Sequence, residues 1–201
     1  MGGKANQFTI IGKKLIKRRA SLYYPKITGL KDIGVEKFVN TTIEEEIYKA
    51  IVELGYIGDY TREVSCSYSV KLKTARLLSL LLDLKSKEGK FPYNQRILRA
   101  LNFDLCRGQL LQLEDIFIKG HEYLSPINRH IKSEICRRGI SLLVDFETID
   151  IQQEFYLTRN SLFIFFQSNE YTHYKYGILE FEINYNSFRD LFDYTGPISG
   201  I

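Results

Sequence analysis

Val64-Ser65-Cys66-Ser67-Tyr68-Ser69-Val70-Lys71-Leu72-Lys73 decides the fold class of this chain. Val64, Cys66, Tyr68, Val70 and Leu72 alternate with Ser65, Ser67, Ser69, Lys71 and Lys73, and a side-chain period of two sends one set to an apolar core and the other to water. The stretch reads as a half-buried strand of an antiparallel sheet. Next to it, Ala75 to Lys85 is more uniformly apolar, with Leu77, Leu78, Leu80, Leu81, Leu82 and Leu84. That pattern suits a strand covered on both faces, with a short buried helix as the alternative. Lys85 to Lys90 reads as a polar turn, Ile97 to Leu105 as a returning strand, and Arg107-Gly108 as the turn into Gln109 to Leu113. A meander is the economical topology.

Working outward, Phe8 to Arg19 reads as a first strand and Pro25 ends the regularity that follows it. Asp32 is expected to cap a helix in which Val35, Val39, Ile43, Ile47 and Ile51 recur every fourth residue. With Phe38 and Leu54 they form one apolar stripe, and the helix ends near Gly55. A second helix is expected from Ser125 as N-cap and Pro126 at the first helical position, with Ile127, Ile131 and Ile135 as its buried stripe and Gly139 closing it. A linker around Glu147 to Gln153 precedes a final antiparallel set, Glu154 to Thr158, Ser161 to Gln167 and Tyr176 to Tyr185. Arg159-Asn160 reads as a two-residue turn, since Asn tolerates a positive φ. The expected class is α+β: antiparallel sheets with two main helices in a two-lobed single chain. Residues 1–95 form the N-terminal lobe, 96–192 the C-terminal lobe and 193–201 a Gly-rich tail that frays.

Fourteen Tyr and thirteen Phe with no Trp favour sheet over bundle, because aromatic rings pack well on a pleated surface. The net charge of +4 is unevenly distributed. Residues 1–31 carry eight Lys/Arg and no Asp/Glu, 32–59 two against seven, 60–146 fifteen against nine, and 147–201 three against eight. Blocks of opposite sign can offset each other on folding, so nucleic acid is not an expected partner. Cys66, Cys106 and Cys136 are odd in number and far apart, which reads as unpaired buried thiols in a reducing compartment. No signal peptide follows Met1 and no apolar run approaches the length of a membrane span. The chain is therefore expected to be soluble and cytoplasmic as written, or exported if a leader has been removed.

Tyr24-Pro25, the helix carrying Asn40, Leu78-Ser79-Leu80, the Phe103-Asp104 to Gly108 turn, Leu113 to Phe117, and Phe155-Tyr156-Leu157 through Leu162-Phe163-Ile164 form an ordered series. Glu170-Tyr171, Gly177 and Ile183-Asn184-Tyr185 extend it. The series resembles the RsiV C-terminal/PdaC N-terminal-like domain family of unknown function, over roughly residues 20–192. The resemblance implies an α+β fold with a helix packed on one sheet and a second sheet with its own helix. In RsiV a similar domain binds lysozyme outside the membrane; in PdaC it accompanies a separate deacetylase domain. Relatives often carry a His in the turn where this chain has Gly89-Lys90-Phe91-Pro92-Tyr93, so no role of that His transfers.

Catalytic constellations are not found. His121 and His130 would fall on opposite faces of a continuous helix, and no convergent Asp/His set suggests zinc. Neither a nucleophile elbow nor a phosphate-cradling glycine loop occurs. Carboxylate pairs such as Glu114-Asp115 and Glu180/Glu182 need no acid/base role. No catalytic residue, metal or cofactor is therefore assigned.

Two surfaces remain. The loop bearing Tyr171, His173, Tyr174, Lys175 and Tyr176 offers amphipathic rings suited to a protein or glycan partner, or rings that simply cover the sheet end. Lys13, Lys14, Lys17, Arg18 and Arg19 form a basic strand that suits an acidic partner, or a solvated edge strand. The leading expectation is a non-catalytic binding or sensing module for a protein or cell-envelope glycan. The alternatives are a hydrolase with an unrecognised site and an anionic-surface binder acting through the basic strand.

Overall fold

The computed structural model describes residues 8–57, 61–88 and 95–201. They form a mixed α+β fold with two sheets and two α-helices, divided into two compact units at Leu110/Leu111. The first unit contains β1 (Thr9–Lys17), β2 (Ala20–Thr28), α1 (Ile33–Glu53), β3 (Arg62–Lys73), β4 (Leu77–Glu88), β5 (Gln95–Asp104) and β6 (Gln109–Leu110). Its sheet has these strands in sequence order, so the expected meander holds from β3 onward.

Two sequence expectations change at the start of this sheet. The basic segment and the segment containing Pro25 are the two arms of a hairpin, paired antiparallel from Thr9/Thr28 to Lys17/Ala20. Pro25 lies inside β2, opposite Gly12. It is tolerated because β3 pairs with β2 only over Ala20–Leu22, leaving Pro25 with one neighbouring strand. The β2/β3 pairing is parallel, the one departure from antiparallel order, because α1 carries the chain back across the sheet.

Asp32 caps α1, its carboxylate accepting the Gly34 and Val35 N–H groups. Val39, Ile43, Ile47 and Ala50 are buried, while Phe38 stays partly exposed with its ring edge-on to Phe103. The Asn40 carboxamide accepts from the Ile27 N–H at 2.8 Å and donates to the Ile27 carbonyl at 2.9 Å. Beyond Leu22, where β3 has left, this side chain thus takes a neighbouring strand's place along β2.

Strand β3 keeps its alternation as far as Tyr68; an irregularity between Val70 and Leu72 then shifts the register and leaves Val70 exposed. Residues 77–82 of β4 are all buried, so the apolar run is the two-sided strand and not a helix. The strand continues through Lys85 to Glu88, where a turn was expected; Gly89 to Tyr93 lies outside the described residues. Strand β5 pairs with β4 from Asp104 to Gln95, so the first unit extends past residue 95.

The second unit contains α2 (Leu124–Arg137), β7 (Phe155–Leu157), β8 (Ser161–Phe166) and β9 (Leu179–Asn184), the strands forming an antiparallel sheet in that order. Helix α2 begins one residue before the expected cap. Ser125 lies inside it, and its N–H goes to the Glu122 carboxylate. Ile127 and Ile131 are buried, Ile135 only partly. The expected linker is pinned to this helix: Asn128 accepts the Ile149 N–H and donates to Thr148, and Ile149 is buried.

The Arg159-Asn160 turn closes without a positive φ at Asn160, because the Thr158 hydroxyl donates to the Ser161 carbonyl and accepts its N–H. The C-terminal residues, expected to be a loose tail, are hydrogen-bonded and partly buried. Asp193 N–H bonds the Ile116 carbonyl, Tyr194 Oη donates to the Tyr185 carbonyl, and Ile198 is fully buried.

Candidate functional site

The β8–β9 connection is built from the inside out. Tyr171 lies half-buried with its ring edge-on to Phe166 (centroids 4.9 Å apart) and Phe146 (5.6 Å), and its carbonyl accepts the Leu143 N–H at 2.8 Å. Burial, with Glu170, Asp150 and Glu147 nearby, raises its phenol above the usual value. Thr172 follows, almost wholly buried. On the near side, Glu170 closes a tight turn by accepting the Gln167 N–H, and Asn169 takes a φ of 69°.

Beyond this anchor the chain makes one short 3-10 turn, Tyr174–Tyr176, and its side chains face outward. Tyr174 is 50% exposed and Tyr176 40%. His173 packs against the Tyr174 ring at 4.2 Å, its Nδ1 accepting from the Lys175 N–H, and the Lys175 ammonium sits 5.5 Å from the Tyr176 centroid. Gly177, at φ 69°, ends the turn and returns the chain to β9.

The five residues singled out in this loop therefore separate. His173, Tyr174, Lys175 and Tyr176 form one outward cluster, whereas Tyr171 belongs to the packing that holds it. The anchors Leu143, Phe146 and Phe166 escaped the sequence reading, since nothing local marks a ring as a neighbour of Tyr171.

In the first unit, the basic residues are carried by the hairpin at the sheet edge. Lys13 and Lys14 lie along β1, exposed. Lys17 and Arg18 are exposed at the β1–β2 turn. Arg19 is partly buried, donating to the Arg62 carbonyl at 3.1 Å with its guanidinium 4.8 Å from the Tyr56 centroid. At the same end of the sheet, β4 contributes Lys85 and Lys87, paired in register with Ser65 and Glu63 of β3. The parallel β2/β3 step brings these groups together, and their separation in sequence conceals it.

Three of the four carboxylates set aside in the sequence have structural partners. Asp115 accepts the Gln112 N–H, Glu180 the Tyr156 hydroxyl and Glu182 the Ser161 hydroxyl. His130 Nε2 lies 2.9 Å from the Glu182 carbonyl, and Arg138 donates to the Glu180 carbonyl, so α2 covers the outer edge of β9. Among the described residues no three His, Cys, Asp or Glu side chains gather as metal ligands. Cys66 alone of the three thiols is buried; Cys106 and Cys136 are exposed, because a turn and the outer side of α2 carry them. No helix among the described residues is long and apolar enough to cross a membrane.

Residues 114–186 match the family model described as "Protein of unknown function (DUF3298)". Two solved structures titled as DUF3298 family members share the fold. One, from Bacteroides fragilis NCTC 9343, has a TM-score of 0.68 at 15% identity, over 96% of this chain and 96% of that one. The other, from Pseudomonas aeruginosa PAO1, has a TM-score of 0.66 at 10% identity, over 94% of this chain and 95% of that one. A search of curated proteins finds no match.

Proposed function

We propose that the chain is a non-catalytic binding module that captures a protein or a cell-envelope glycan on His173, Tyr174, Lys175 and Tyr176. The observation that carries this reading is the division of the loop: Tyr171 and Thr172 are held inward while Tyr174 and Tyr176 stay about half exposed on a hydrogen-bonded turn. A turn already fixed in place loses little entropy on binding, and Tyr brings contact area with few rotatable bonds. Imidazole and ammonium groups beside the rings supply donors for glycan hydroxyls or a protein's carbonyls. The likeness to RsiV and PdaC supports an envelope ligand. The engagement of Glu180, Glu182 and Asp115 with structural partners supports a role without acid/base catalysis.

The test is the double substitution Tyr174→Ala/Tyr176→Ala, assayed by co-sedimentation with purified peptidoglycan and by surface capture of lysozyme. The expected result is binding of one probe by the parent chain, weakened by about 2 kcal/mol or more in the double variant, with an unchanged Tm. Full binding by the double variant, or binding of neither probe by the parent, overturns the reading. An envelope glycan would also require export, so the probe that binds bears on the compartment.

A further inference from the structure

The end of the first sheet holds a second candidate, independent of the aromatic loop. A hollow of about 390 Å³ opens where the β1–β2 turn meets the start of β3 and the far end of β4. Lys17, Arg18 and Arg19 line it from the turn, Lys85 and Lys87 from β4, and Glu63 is the single carboxylate among the described lining residues. Ser21, Ser65 and Ser86 place hydroxyl-bearing side chains between the charges.

The topology makes this convergence unavoidable. The Val64 N–H donates to the Arg19 carbonyl at 2.8 Å, and β2 then runs parallel to β3, which fixes the turn at the end where β3 begins. Antiparallel pairing of β4 with β3 sets Lys85 opposite Ser65, Ser86 opposite Val64 and Lys87 opposite Glu63.

Nearby acids leave three of the five cations without an ion pair among the described residues. Asp83 is bidentate with Arg96 and reaches Lys85 only at 3.5 Å, and Glu88 is paired with Arg62. Lys17, Arg18 and Lys87 form no ion pair among the described residues. Five cations against one carboxylate among the described lining residues give the hollow a positive potential that an entering anion would relieve.

We infer that this cleft binds a compact phosphate-bearing anion, either free in solution or as a phospholipid headgroup. Lys and Arg donate charge-assisted hydrogen bonds to phosphate oxygens, and serine hydroxyls complete such a shell. The shape argues against nucleic acid: the cations gather at a hollow instead of tracking along a groove, and among the described residues no aromatic ring lines it for base stacking. Ile16, 63% exposed on the rim, gives a headgroup ligand an apolar contact that a soluble one would not need.

The experiment titrates inorganic pyrophosphate into the protein by calorimetry at low ionic strength, and separately adds vesicles of phosphatidylcholine with or without phosphatidylglycerol. Two double variants are compared, Arg18→Ala/Lys87→Ala inside the cleft and Lys13→Ala/Lys14→Ala outside it. All four side chains are exposed, and unchanged Tm values confirm that the variants fold. The cleft is supported if pyrophosphate binds saturably, about tenfold or more weaker in the cleft variant and unaltered in the control. Binding to phosphatidylglycerol vesicles that pyrophosphate competes away and Ile16→Ser weakens identifies a headgroup; pyrophosphate binding without vesicle binding identifies a soluble ligand. Equal losses in both double variants would mean diffuse attraction to surface charge and overturn the inference. So would failure of the parent chain to bind either probe, or retention of a single-stranded oligonucleotide by a protein that ignores pyrophosphate.

Discussion

Asp104 has no exposed surface, yet four donors meet its carboxylate. Arg76 gives Nε at 3.1 Å and Nη2 at 2.8 Å to Oδ2, and the Cys106 and Arg107 N–H groups reach Oδ1. One side chain thus closes the β5–β6 turn and joins it to the start of β4. Gly108, at φ 61°, completes the turn where a Cβ would stand 2.9 Å from Val35 Cγ2. Replacing Asp104 with Ala takes one acceptor from the half-buried Arg76 guanidinium and from two turn amides. The expected loss is about 3 kcal/mol by urea denaturation, and Asp104→Asn should lose less, because its carbonyl still accepts. A variant as stable as the parent would remove Asp104 from this role. The sequence marks this turn through Arg107-Gly108 but gives no sign of Arg76, since an ion pair between distant residues leaves no local pattern. The packing of Tyr171 on Phe146 and Phe166 is hidden for the same reason: Phe146 comes from another stretch of chain.

Helix α1 was the most readable element, because a long amphipathic period and an Asp cap depend only on local chemistry. What it docks against was not readable. The link is Asn40, whose two hydrogen bonds satisfy Ile27 where β3 has diverged. Asn40→Ala should cost about 2 kcal/mol and speed hydrogen exchange at the Ile27 amide; exchange as slow as in the parent would contradict the link. Hairpin β1–β2 was the hardest element to read. Its first strand is exposed almost throughout, so no alternation of burial marks it, and Pro25 looks like a terminator until its partner strand is known. The basic cleft belongs with these cases, since the pairing of β2, β3 and β4 assembles it from separate segments.

For the chain as a whole, each unit carries its own sheet and helix, and the thiols give a handle on the first. Burial, then the Asp83 charge, pushes the Cys66 thiol from 9.0 up to about 12. The folded state therefore holds this proton more tightly than the unfolded state. The associated stability is complete below pH 9 and is lost as pH rises toward 12. Thermal melts should show a decline over that window that Cys66→Ala flattens; an unaltered slope would assign the decline elsewhere. In the native protein a maleimide should label Cys106 and Cys136 quickly and Cys66 only on unfolding. The alternation in β3, the amphipathic period of α1 and the apolar run of β4 specify an α+β chain unaided, because each is written in neighbouring residues. The parallel β2/β3 step, the inward place of Tyr171 and the gathering of Lys85 and Lys87 around the β1–β2 turn arise only on folding, because they depend on contacts between segments far apart in the chain.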